Sequence, residues 1–119
     1  MQKKWLENIY HEIAELSDSE MQRRLWLGKD SKYISSYDEL LCSLFDDFNF
    51  DLFIDNELPK IEGLTPSFIQ SIRKLREMFN EYDRKNLNDE QIIEDPEWLK
   101  VVEQAKMVEK QWNENIKMN

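Results

Sequence analysis

The sequence predicts an all-α fold, a compact bundle of five or six helices in a single domain spanning residues 1–119. Three observations predict it. Apolar residues recur at spacings of three and four along most of the chain, the period of a helix with one buried face. Helix-start signatures recur as well: serine three residues ahead of glutamate, and threonine or aspartate directly before proline. Only two glycines and three prolines occur in 119 residues, too few for the turns of an all-β fold.

Each element follows from its local pattern. Over residues 2–16, Trp5, Ile9, Ile13 and Leu16 make the first stripe. Ser17 and Glu20 match a capping box, which starts a short second helix carrying Met21, Leu25 and Trp26 and stopped by Gly28. Residues 29–36 read as a polar connection. Ser36 with Glu39 repeats the capping box and opens a third helix, whose apolar face is Tyr37, Leu40, Leu41, Leu44, Phe45, Phe48 and Leu52. A connection over 56–64 holds Pro59 and Gly63. Thr65-Pro66 then caps a fourth helix that runs to about Arg84, with Phe68, Ile72, Leu75, Phe79 and Tyr82 inward. A short turn of helix covers Asp89–Glu94. Asp95-Pro96 starts the last helix, which buries Trp98, Val102, Ala105, Val108, Trp112 and Ile116.

Composition narrows the class. Hydrophobic residues make up 40% of the chain, enough for an ordinary core and too many for disorder. The single Cys42 forms no internal disulfide, which fits a reducing cytoplasm. No apolar run approaches a membrane span, and the N-terminus lacks the apolar core of a signal peptide. The expected setting is therefore cytoplasmic, with no membrane contact.

Charge is concentrated in one stretch. The net charge is −9, and between residues 38 and 58 stand Asp38, Glu39, Asp46, Asp47, Asp51, Asp55 and Glu57 with no base. Such a patch repels phosphate backbones, so direct nucleic-acid binding is not expected; it attracts a basic protein partner and speeds its encounter. If the third helix continues past Asn49, Asp47, Asp51 and Asp55 form a ridge of like charge, and Phe50, Phe53 and Ile54 point among the acids, away from the core face. If Asn49 ends the helix, those aromatics turn inward. In either arrangement the acids stay outside. The candidate partner-binding residues are Asp46, Asp47, Phe50, Asp51, Phe53, Asp55 and Glu57: apolar anchors inside a charged rim.

No motif points to catalysis, a metal or a cofactor. His11 is the only histidine, so a helical zinc pair lacks its second histidine, and a Ser-His-Asp triad would have to take His11 as its base and is not expected. Asp47, Asn49 and Asp51 match the first ligands of an EF-hand loop, but Leu52 stands where its glycine belongs and Leu58 where its glutamate belongs. Cys42 falls on an apolar side of its helix and reads as a buried structural cysteine. Trp26 lies beside Arg23, Arg24 and Lys29, a basic cluster balanced by Glu20 and Asp30 and a candidate intramolecular counterpart to the acidic stretch.

In size, helical content and concentrated acidity, with the seven acids between Asp38 and Glu57, the chain resembles the small α-helical immunity proteins of bacterial toxin systems, of the colicin or contact-dependent growth-inhibition type. The resemblance implies a binding protein that neutralises a cognate basic toxin, commonly a nuclease, by occluding its active or substrate-binding site. Two other readings stand beside it. One is a regulatory or scaffolding module that holds an amphipathic helix through exposed aromatics. The other is a DNA mimic, for which a ridge of ~30 Å is short. A homodimer formed through the same surface is left open.

Overall fold

A β-region aspartate, serine, threonine or asparagine that caps the next turn begins five of the seven α-helices among the described residues. In the computed structural model, which describes residues 3–27, 36–82 and 86–116, every regular element is helical and no strand occurs among those residues. Helix α1 is Lys3–Leu16, and α2 is Ser19–Trp26. The cap of α2 is Asp18, whose carboxylate accepts from Met21 N at 3.0 Å. The expected box on Ser17 does not form, because Ser17 Oγ instead donates back to Ala14 O (2.8 Å) and stays with the last turn of α1. Gly28, the connection over 29–35, and Arg84 at the expected end of the fourth helix lie outside the described residues.

Helix α3 (Tyr37–Leu41) starts as expected, with Ser36 Oγ accepting from Glu39 N. It then widens into a π-helix over Cys42–Asp47, and Phe48 N donates to Ser43 O, five residues back. Asn49 follows in the left-handed region (φ 48°, ψ 58°), a conformation that asparagine tolerates better than most residues. A new helix begins at once: α4 (Phe50–Leu52), a second π-helix over Phe53–Glu57, and a 3-10 turn over Leu58–Lys60. Thr65 caps α5 (Pro66–Glu81), Asn88 forms a full capping box with Gln91 on α6 (Asp89–Glu94), and Asp95 caps α7 (Pro96–Asn115).

The break at Asn49 answers the question left open by residues 38–55. The π turn over Cys42–Asp47 and the left-handed Asn49 rotate the following segment relative to a continuous helix. Phe50, Phe53 and Ile54 are each 0% exposed, whereas Leu52, expected on the core face, is 45% exposed. Phe45, Phe48 and Leu41 end half-buried against the core. Cys42 is exposed, contrary to the expected burial, because it lies about 200° around the helix from the buried Leu40.

Two indoles on α7 organise the interior. Trp98 is surrounded by the rings of Trp26, Tyr37, Phe79 and Tyr82 at 5.3–5.9 Å. Trp112 packs on Tyr10, Phe53 and Phe68 at 5.8–5.9 Å. A buried glutamine ties the first end together. Gln22 Oε1 accepts from Trp98 Nε1 (3.0 Å), while its Nε2 donates to Glu15 O and Leu16 O at the end of α1, where Glu15 O also accepts from Asp18 N. Gln104 Nε2 donates to Ser71 O (2.9 Å) and fixes α7 on α5.

Candidate functional site

The seven candidate residues separate into three groups once the chain is folded. Phe50 and Phe53 are interior: Phe50 meets Phe45, and Phe53 stacks on Trp112 while meeting Trp5 edge-on. Their assignment as partner-binding anchors is therefore corrected. A side chain with no exposed surface touches no partner, and burying a phenylalanine releases about 2–3 kcal/mol that exposure would forfeit.

Asp51 and Asp55 are exposed, but they are not free. They sit four residues apart on the helical segment after Asn49, and Arg76 of α5 reaches both, with Nη1 at 2.9 Å from Asp55 and 3.5 Å from Asp51. Arg76 is the intramolecular counterpart of this end of the acidic stretch. Arg23, the sequence's candidate for that role, pairs with Glu94 on α6 instead, and Trp26 beside it is buried against Tyr37 and Trp98. Glu57 is half-buried and lies 3.7 Å from Lys60.

Asp46 and Asp47 are exposed on the outer side of the first π turn, and no described residue pairs with either. The fold adds two carboxylates that the candidate set lacked. Glu39, exposed on the first turn of α3, lies on the same segment, and the half-buried Glu12 of α1 is near enough to Glu39 and Asp47 to feel their charge. Trp5 anchors that approach by donating from Nε1 to Phe48 O. Glu12 is pushed up from 4.5 to about 7, first by burial and then by the negative charges of Glu15, Asp47 and Glu39. Sequence offered one signal for it: a glutamate on the flank of the Ile9, Ile13 and Leu16 stripe, where a charged group is drawn partly under its neighbours.

This face is thus built from two elements, with Glu12 on α1 and Glu39, Asp46 and Asp47 on α3 and its π extension. Its chemistry is that of an anionic surface able to meet lysine and arginine side chains. No protein-family model, no curated protein and no solved structure matches this chain. Charge and shape therefore carry the functional argument.

Other concave regions offer less chemistry. A cavity of about 400 Å³ is lined by Met78, Glu81, Tyr82, Asp95, Glu97, Lys100 and Val101. Its Asp95 is occupied, since Oδ2 accepts from Tyr82 Oη (2.7 Å) and Oδ1 from Glu97 N (3.0 Å). A shallow groove between α5 and α7 exposes Leu99 and Met107 and is lined also by Lys74 and Lys100. Among the described residues no group of histidine, cysteine, aspartate and glutamate is placed to hold a metal ion, and no helix is long and apolar enough to cross a membrane.

Proposed function

We propose that this protein binds a basic protein partner on the α1–α3 face, and that the partner is a cognate toxin, in the first instance a nuclease, whose phosphate-gripping site the acidic face occludes. The observation that carries the reading is the difference between the two halves of the acidic stretch. Asp51 and Asp55 have Arg76, whereas Glu39, Asp46 and Asp47 have no cation among the described residues. Exposed carboxylates left without a cation on neighbouring turns gain nothing from each other, so an external cation is the natural complement. The resemblance in size, helical content and charge to bacterial immunity proteins supports the same reading. The protein acts by steric and electrostatic occlusion and performs no chemistry on its partner.

The alternative, a module that holds an amphipathic helix through exposed aromatics, loses the residues it was built on, because Phe50 and Phe53 are interior. Affinity capture by the tagged protein from its own cells, at low and high salt, tests the first reading. One basic partner is expected at low salt, with association slowed at least about tenfold when Asp46 and Asp47 are both changed to lysine. Folding should be intact, as both side chains are exposed. An association rate unchanged by D46K/D47K at low salt would refute the proposal.

A further inference from the structure

Among the described residues the exposed large apolar side chains are Leu52, Leu99 and Met107, and they fall on two surfaces of opposite charge. Leu99 and Met107, about two turns apart on α7, stand in the groove between α5 and α7, a hollow of about 680 Å³. Ser71 Oγ donates to the Met107 sulfur (3.7 Å), which fastens the thioether to α5 at the groove. Lys74 and Lys100 line the same groove. Lys74 has no ion pair among the described residues, Lys100 meets only the exposed Glu97 (3.1 Å), and the acid of the groove, Glu103, is held by Lys106 (3.2 Å). A surplus positive charge is left at an apolar hollow.

Leu52 is the inverse, an apolar knob with acids beside it. Asp51 and Asp55 share the one guanidinium of Arg76 and so keep a negative charge between them. Arg76 stands two residues from both Lys74 and Met78 on α5, about 200° around the axis, so knob and groove occupy opposite sides of that helix. A chain cannot fill its own groove with its own knob, but a second copy can. We infer that Leu52 of one copy docks against Leu99 and Met107 of another, with Lys74 and Lys100 meeting Asp51 and Asp55. Lysine stems lie along apolar surface and carry their charges to the rim, while the flexible thioethers of Met78 and Met107 adapt to the incoming leucine. Matched charge sets which way round the copies meet. The two surfaces differ, so the contact is heterologous: each copy that offers its knob keeps an open groove, and copies add in a row unless the rotation closes a ring. The net charge of −9 on every copy opposes this and keeps the association weak. Glu39, Asp46 and Asp47 take no part, so this contact stands or falls independently of the partner proposed for the α1–α3 face.

Sedimentation velocity on the full chain tests it, from about 10 µM to about 1 mM, a range suited to so small a contact. The mean mass of the wild-type chain is expected to rise with concentration past that of two copies. Leu52→Lys, and separately Leu99→Gln with Met107→Gln, should each stay monomeric, and circular dichroism should show both folded, since all three side chains are exposed. Lys74→Glu should weaken assembly at least about tenfold. The deciding sample is an equimolar mixture of the first two variants. One keeps its groove and the other its knob, so the mixture should form a 1:1 complex that grows no further. A wild-type chain that stays monomeric throughout overturns the contact and leaves the groove to an apolar segment of another protein. Dimers of L52K overturn it in favour of groove meeting groove. A mixture that stays monomeric while the wild type assembles overturns the pairing of knob with groove.

Discussion

Replacing Glu12 with glutamine changes the stability of the protein in a pH-dependent way whose sign and size follow from the α1–α3 geometry. In the folded chain the carboxyl is pushed up from 4.5 to about 7, chiefly by burial and secondarily by Glu15, Asp47 and Glu39. Between those two values the folded state holds more protons than the unfolded chain, so stability falls as pH rises. Below the lower value the group is protonated in both states and costs nothing; above the upper value the cost is complete. The whole displacement corresponds to about 3 kcal/mol at about 1.4 kcal/mol per pH unit. Glu12 keeps some contact with water, and solvent screening reduces this to about 1–2 kcal/mol. Glutamine keeps the shape and removes the charge. At about 4 °C per kcal/mol for a chain of this length, E12Q should unfold about 4–8 °C above wild type at alkaline pH. The two proteins should converge as the pH falls towards 4.5. Thermal and urea unfolding across the range measure the difference, with an unchanged urea m-value confirming that stability alone has moved. An offset that stays constant from acid to alkaline pH, or a less stable E12Q at alkaline pH, would refute the reasoning.

Substitutions at three further positions test the packing. Phe53→Ala removes a fully buried ring from beneath Trp112 and should cost about 3–5 kcal/mol in urea unfolding, where an exposed anchor would cost well under 1. Gln22→Ala leaves the Trp98 N–H and the Leu16 carbonyl short of partners and should cost about 2–4 kcal/mol, read from the same titration. Asn49→Gly should be nearly neutral, whereas Asn49→Val should cost about 1–2 kcal/mol or more, because a β-branched residue resists the left-handed conformation; differential scanning calorimetry separates them.

The helices were legible wherever one face met one core. The stripes of α1, α5 and α7 place Ile9, Ile13, Leu16, Phe68, Ile72, Leu75, Trp98, Val102 and Trp112 inside, as the 3.6-residue period requires. Caps involving proline were equally plain, since Thr65 and Asp95 each present a side-chain acceptor to a helix whose first residue lacks an N–H. The π turns were not legible. No residue type demands a wider turn, and the first π turn with the left-handed Asn49 shifts every later side chain around the axis, so a phase extrapolated from Tyr37 and Leu40 fails by Leu52. The acidic composition of the candidate face was visible in one segment of sequence, but its partition was not. Arg76 lies 21 residues beyond Asp55, and Glu12 lies on a helix read only as core, so both depend on tertiary placement.

The position of α7 has a consequence for the order in which the protein is made. Both indole hubs, Trp98 and Trp112, lie on it, and the bond from Trp98 to Gln22 joins residues 76 apart. During synthesis the rings of Trp26, Tyr37, Phe53, Phe68, Phe79 and Tyr82 leave the ribosome before the surfaces that cover them. At about 5–20 residues per second, that interval lasts several seconds, during which the nascent chain displays apolar surface to chaperones. A ribosome-stalled chain ending before Pro96 should accordingly remain open to protease, and protection should arrive in one step as α7 emerges.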